Sequence, residues 1–269
     1  MRGIILSGGK GTRIAPFTLS TNKHLAPIYT YHQGAVPCIY YPINTLVNSG
    51  IHDILIITST EHSGHIIETL KDGEKFNADF TYKIQVTDNP TKPLGIASAL
   101  KLAQNYTNDD KFAVILGDNF FEDNFTAPIN DFKNRTDISA SVFIKQVPDP
   151  ERFGVATING LYEHNEFITA SVKDIIEKPK EPKSNYAVTG LYLYTPDVYN
   201  QLPNLIVSNR NELEISHIND FYAKNNQLIC YLLNGYWSDM GLSESMIKTT
   251  EFINSRKYKY NFEKNNAIL

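Results

Sequence analysis

Apolar positions along this 269-residue chain follow two patterns, and the change between them predicts its organisation. In the first half, short apolar runs at Ile4-Ile5-Leu6, 53–58, 81–86 and 112–116 read as buried strands. Between them, 38–49, 62–72 and 95–105 carry helix-like spacing, with Gly50 and Gly73 stopping the first two. Such alternation predicts a mostly parallel sheet with helices on both faces. From residue 138 strands crowd together at 138–146, 153–158, 171–177 and 187–194, punctuated by Gly154, Gly160 and Pro179. Helices at about 212–224 and 243–255 then flank a strand at 228–233. The expected fold is α/β and Rossmann-like: one domain over 1–255 with a β-rich insertion at about 126–235. A polar tail, 256–269, follows as a short helix or arm.

Composition narrows the function classes. The net charge is −4, so no general basic field exists for nucleic acid. Two cysteines, Cys38 and Cys230, cannot form a disulfide framework and read as small core residues in a reducing compartment. No export signal is visible, and no apolar run approaches the ~18–20 residues that span a bilayer. A cytosolic protein without a membrane partner is expected.

The densest chemistry follows the first strand, in Ser7-Gly8-Gly9-Lys10-Gly11-Thr12-Arg13. Three glycines within four residues free the backbone to aim N–H groups at a phosphate chain, and Arg13 adds a planar charged fork. Lys23 supplies a second, point-like cation. The loop lacks the Gly-Lys-Ser/Thr ending of a P-loop and the third glycine of the dinucleotide fingerprint. Pro16 stops a helix from running straight out of the glycines. A tight turn with no ligand is the plainer alternative, weakened by the strand before it and the two cations.

Two carboxylates extend the picture. Asp118 stands in Leu116-Gly117-Asp118-Asn119, straight after an apolar strand, where open α/β sheets place ligands. A strand-end aspartate beside a polyphosphate typically holds Mg²⁺; a turn aspartate is the bland alternative. Asp239, in Trp237-Ser238-Asp239-Met240-Gly241, either completes a two-carboxylate site or caps the helix from Ser243. Trp237, the single tryptophan, reads equally well as a packing anchor. Glu177-Lys178-Pro179 ends a strand with a carboxylate able to accept sugar hydroxyls and an ammonium able to hold a phosphate. In isolation it would be a solvated strand end.

Together these motifs resemble the sugar-nucleotide pyrophosphorylases, most closely the thymidylyltransferases among them. The matching stretches are LSGGKGTR, NKHLAPIY, IYYPINTL, GIHDIL, PLGIASAL, LGDN, PDPERFGV, IEKPKEPKSNYAVTGLYLY, NELEISHIN and YWSDMG, in family order from residue 3 to about 255. The resemblance implies a nucleotide-diphospho-sugar transferase fold, with a nucleotide-binding part near 1–125 and a sugar-binding part near 126–235. It implies Mg²⁺-dependent transfer of a thymidylyl group from dTTP to glucose 1-phosphate, with UTP an alternative donor, as the first step toward dTDP-deoxysugars and surface polysaccharide. Arg13 and Lys23 would be catalytic, and Asp118 and Asp239 would hold the metal. Leu6, Gly8, Gly9, Gly11, Thr12, Gln85 and Gly95 would bind the nucleotide. Gly154, Glu177, Lys178, Val188 and Trp237 would hold the sugar phosphate, with Thr189 and Gly190 lining the pocket. A homotetramer is the family's usual assembly.

Some positions depart from the family pattern. Ser7 replaces an alanine, His24 a glutamine, Ser98 a glutamine or histidine, and Phe153 a tyrosine that would offer the sugar a hydroxyl. Residues 30–36 lengthen a connection that normally reads Asp-Lys-Pro. The chain is shorter than members carrying feedback helices, so a second site for dTDP-rhamnose is not expected. Two other readings stay open: nucleotidyl transfer to a different hexose phosphate, and a non-catalytic sugar-nucleotide sensor. A pure sensor would not need both metal carboxylates.

Overall fold

The computed structural model describes residues 1–9, 11–86, 95–208 and 212–256, and among these the expected elements are present with shifted ends. The first third contains β1 (Arg2–Ser7), β2 (Pro27–Thr30), β3 (Gly34–Pro37), α1 (Tyr40–Asn48), β4 (Asp53–Ser59), α2 (Ser63–Leu70) and β5 (Asp79–Gln85). Next come α3 (Ile96–Lys101), α4 (Gln104–Thr107), β6 (Phe112–Leu116), β7 (Asn119–Phe121), α5 (Thr126–Asn134) and β8 (Ala140–Gln146). Then follow β9 (Gly154–Glu163), β10 (Ile168–Glu177), β11 (Tyr186–Tyr194), α6 (Val198–Gln201) and α7 (Ile215–Lys224). The last described elements are β12 (Leu228–Leu232), β13 (Trp237–Asp239) and α8 (Ser243–Arg256).

The chain forms two compact units. One contains Arg2–Val86, Ile115–Asn124 and the chain from Tyr236 onward. Here β1 and β5 lie parallel on either side of β4. Helices α1 and α2 make the crossovers that parallel pairing demands. Ile4, Ile5, Leu55 and Ile56 are fully buried, which is why these strands read as continuous apolar runs. A short ribbon pairs β7 with β13 in antiparallel register.

The other unit runs up to Val114 from beyond Val86 and continues over Phe125–Gly235. Its strands run β11-β8-β12-β10-β9, and β9 pairs again with β11. Only β8–β12 is parallel among these pairs; β8–β11, β10–β12, β9–β10 and β9–β11 are antiparallel. The mostly parallel expectation therefore holds for the first unit and not for this one. Short connections such as Glu163 to Ile168 fold a strand straight back on its neighbour.

Three local expectations are corrected. Residues 30–36 are not a plain connection: they belong to the β2–β3 hairpin, in which Pro27 faces Pro37 and Thr30 faces Gly34. Its alternation of buried Ile28 with exposed Tyr29 spans too few positions to stand out in the sequence. Asn254 of α8 fastens this hairpin, accepting from the Tyr31 N–H at 2.9 Å and donating to the Tyr29 carbonyl at 3.0 Å. The helix expected over 95–105 is broken into α3 and α4, because Leu102 and Ala103 close tighter turns onto Ala99 and Leu100. Helix α5 has no counterpart in the expected elements. The tail beyond Arg256 lies outside the described residues, as does Lys10. No helix among the described residues is long and apolar enough to cross a membrane.

Candidate active site

Buried β1 ends at Ser7, whose hydroxyl donates to the Ile57 carbonyl at 3.2 Å and so fixes where the glycine loop begins. Gly11 has φ +61°, and a Cβ there would lie 2.7 Å from Thr18 Cγ2 and 2.9 Å from Lys23 Cβ. A side chain would be both strained and blocked, so glycine is what brings the loop against the stem of Lys23. Arg13 and Thr12 follow, exposed, on a single 3-10 turn at Thr12–Ile14. Lys23 begins another such turn at Lys23–Leu25, capped by the side chain of Asn22.

The carboxylates arrive on the β7–β13 ribbon. The Gly117 N–H donates to the Leu6 carbonyl at 2.9 Å, holding the chain just before Asp118 to β1. Asn119 faces Asp239 across the ribbon, and the Met240 N–H donates to the Asp118 carbonyl at 2.8 Å. The Trp237 indole N–H donates to Asn119 Oδ1 at 2.8 Å, so Trp237 fastens the ribbon beside the two aspartates.

Charge converges at Gly241. A Cβ built there would stand 2.9 Å from Asp239 Oδ1, 3.2 Å from Arg13 Nη2 and 3.6 Å from Asp118 Oδ2. Lys23 Nζ lies 2.5 Å from Asp118 Oδ2. Asp239, Arg13 and Asp118 thus meet around one residue without a side chain, and Lys23 joins them through Asp118. Burial works to lower the Lys23 pKa, but the charge and hydrogen bond of Asp118, aided by Asp239, outweigh it and the net shift is upward. Burial likewise opposes ionisation of Asp118, yet the Lys23 ammonium holds its carboxyl well below the usual carboxylate range. Asp239 is pushed the other way, first by burial and then by the Asp118 charge. The surroundings therefore oppose a second ionised carboxylate at Asp239.

Of the other expected nucleotide contacts, Leu6 is buried at the end of β1 and Gly9 is exposed, with open space where a Cβ would be. A Cβ on Gly8 would lie 3.6 Å from Gln85 Oε1, so Gln85 ends β5 beside the loop. Gly95 has φ +113°, and a Cβ there would come within 2.6 Å of the Leu213 carbonyl and 3.0 Å of its nitrogen. Close approach of two backbones explains this glycine without any base. Gly95→Ala is expected to cost about 1–3 kcal/mol of stability, measurable by denaturant unfolding.

In the second unit the sugar-side residues meet by sheet register. Gly154 pairs with Glu177 on β10 and with Val188 on β11. A Cβ on Gly154 would stand 3.4 Å from Glu177 Oε2 and 3.7 Å from Val188 Cβ. Lys178, at φ +42°, turns back so that its N–H donates to the Phe153 carbonyl at 2.9 Å and its ammonium lies 3.5 Å from Glu177. Thr189 is committed elsewhere: its buried hydroxyl donates to the Phe143 carbonyl at 2.9 Å.

The family model for nucleotidyl transferases matches residues 2–256. The chain belongs to the nucleotidyl transferase family. It is an enzyme family whose substrates are a nucleoside triphosphate and a sugar 1-phosphate. The chain is 37% identical over 256 residues to glucose-1-phosphate thymidylyltransferase of Neisseria meningitidis serogroup A, covering 94% of this chain and 82% of that one. It is 33% identical, with the same coverage, to the enzyme of that name from Mycolicibacterium smegmatis. A Bacillus anthracis protein described as a candidate glucose-1-phosphate thymidylyltransferase, solved with sucrose, superposes with a TM-score of 0.84 at 39% identity, covering 97% of this chain and 98% of that one. A UDP-glucose pyrophosphorylase bound to UDP-glucose shares the nucleotidyltransferase fold at TM-score 0.77 and 23% identity, covering 95% of this chain and 98% of that one.

Sequence reasoning missed two things at this site. The β7–β13 ribbon is too short to show a period, although Asn119 directly after Asp118 is its one visible trace. Asn22 bonds to Ser7 and His24 packs against Gly117, both distant in sequence, so no local pattern announces them.

Proposed function

We propose that this nucleotidyltransferase forms dTDP-glucose and pyrophosphate from dTTP and α-D-glucose 1-phosphate. A phosphate oxygen of the sugar phosphate bonds to the α-phosphorus, the bond from that phosphorus to the bridging oxygen breaks, and the electron pair leaves on pyrophosphate. No protein nucleophile and no proton transfer are needed; the barrier is the repulsion and misalignment of two anions. The single observation that supports this reading is the meeting of Arg13, Asp118 and Asp239 around Gly241, with Lys23 paired to Asp118.

Lys23 offers a point charge to the reacting phosphates, and Arg13, on the exposed turn after the glycines, a fork for the departing pyrophosphate. Glu177 accepts sugar hydroxyls, Lys178 neutralises the sugar phosphate and Gln85 reads the base by its amide. A divalent ion fits the donor set: Asp118 and Asp239 are hard oxygen ligands, and a cation between them would offset the burial and the Asp118 charge that oppose ionisation of Asp239. Among the described residues no third His, Cys, Asp or Glu joins them, which suits Mg²⁺, a metal that keeps waters and takes phosphate oxygens. When bound it would neutralise phosphate charge as it builds on the departing oxygens.

Pyrophosphate release measured over dTTP, UTP, GTP and ATP with several hexose 1-phosphates tests the reading. Highest kcat/KM for dTTP with glucose 1-phosphate, abolished by EDTA and restored by Mg²⁺, is expected. A methyl group distinguishes thymine from uracil, so discrimination against UTP itself should be no more than about 10–200-fold. Dominant turnover of another pair overturns the substrate assignment, and nucleotide binding without turnover favours a sensor.

A further inference from the structure

Beneath the charged groups lies a buried polar cluster in which Asn22, His24, Ser7 and Thr58 are all at most 3% exposed. Asn22 Nδ2 donates to the Ser7 carbonyl at 3.1 Å, at the root of the glycine loop. Thr58 also donates to that carbonyl, at 3.3 Å. Asn22 Oδ1 accepts twice from His24, from the backbone N–H at 2.9 Å and from ring Nδ1 at 2.7 Å. An amide oxygen only accepts, so this bond assigns the proton to Nδ1. Burial and the neighbouring Lys23 charge hold the imidazole pKa down at about 3, leaving the ring neutral through the physiological range.

The ring's other edge faces Gly117. His24 Cδ2 fills the space where a Gly117 side chain would be, 2.8 Å from an ideal Cβ, immediately before Asp118. The His24 carbonyl accepts the Ile39 N–H at 2.9 Å and the Cys38 thiol at 3.2 Å, fixing the turn from below. One neutral side chain therefore links the three segments that carry the glycine loop, Lys23 and Asp118, directly at Gly117 and through Asn22 at Ser7.

We propose that His24 is a positioning residue: bonded to Asn22 and packed under Gly117, it sets Lys23 and the Asp118 segment at working distance from the glycine loop. It contacts no reacting group; it acts through the residues it spaces. This inference rests on the proposed nucleotidyl transfer, in which those three segments must hold two anions in line. Catalysis is steeply sensitive to such spacing, so the cost should appear in turnover before it appears in binding.

The test uses the full-length protein and the substrate pair that the wild type turns over best. His24→Leu keeps apolar bulk but removes the Nδ1 donor, and His24→Asn returns a donor at nearly the same place. For His24→Leu, kcat is expected to fall roughly thirtyfold with KM for both substrates within about twofold. His24→Asn should recover kcat to within about threefold of wild type, with melting temperatures of both variants reported alongside. Unchanged kcat in His24→Leu overturns the proposal. So does equal loss in both variants, or a loss carried mainly by KM. Failure of the wild type to use dTTP and glucose 1-phosphate would instead strike the substrate assignment alone, because the comparison is made on whichever pair reacts.

Discussion

Asp118→Asn is expected to lower product formation about a thousandfold while the protein remains folded. The substitution is nearly isosteric and keeps an oxygen for Lys23, but removes the formal charge that a divalent ion needs. The fold should survive because Asp239 is close enough to influence both groups: it raises the Lys23 pKa, and Asp118 raises its own. With residue 118 neutral, Asp239 loses a repulsive neighbour and becomes the counter-ion of Lys23. The pH dependence gives the sign. A raised folded pKa at Asp239 means stability that is full below the ordinary carboxylate range and is lost as pH rises through the folded value. In Asp118→Asn that loss should shrink, so thermal unfolding between pH 4 and 8 should become flatter than in wild type (about one carboxylate's contribution). Turnover within tenfold of wild type, at any Mg²⁺ concentration, would contradict the role given to Asp118.

Lys23→Met carries the second large effect. Turnover should fall at least about a hundredfold, since a point charge on the reacting phosphates disappears. Here stability falls as well. The pair is largely buried, at 17% and 8% side-chain exposure, and removing the ammonium leaves Asp118 facing Asp239 without it. A loss of up to about 3 kcal/mol at neutral pH is expected, less than for a fully enclosed pair because water still reaches Lys23. Wild-type Asp118 has its folded pKa depressed, so its contribution is present above the ordinary carboxylate range and lost as pH falls through the folded value. The difference in melting temperature between Lys23→Met and wild type should therefore be full at neutral pH and shrink only as pH falls below about 4. Millimolar Mg²⁺ should narrow it too, by supplying a cation between the carboxylates. A difference that grows on acidification would show that the two carboxylates are not what Lys23 stabilises.

Much of this molecule is written locally. Buried parallel strands reveal themselves because both faces must be apolar, as in Ile4-Ile5-Leu6 and Asp53–Ser59, and the helices between them repeat with their own period. The glycine loop, Arg13, Lys23, Asp118 and the Glu177-Lys178 pair are likewise visible, since their chemistry lies in residue type and spacing. Tertiary structure decided what those residues do to one another. Asp118 and Asp239 are far apart in the chain, and a three-residue ribbon brings them to Gly241, where the Asp118 charge raises the proton affinity of Asp239. Gly95 is singled out by resemblance as a nucleotide contact, and the tertiary structure adds a close approach to the Leu213 backbone that no sequence pattern shows. His24 shows in the sequence only as a departure from the family's glutamine beside a catalytic lysine, and it is fully enclosed, neutral and bonded beneath the site. Period and composition report which residues prefer burial or a turn; they hold no information on which distant groups share a few ångströms, and charge, hydrogen bonding and desolvation act only across those.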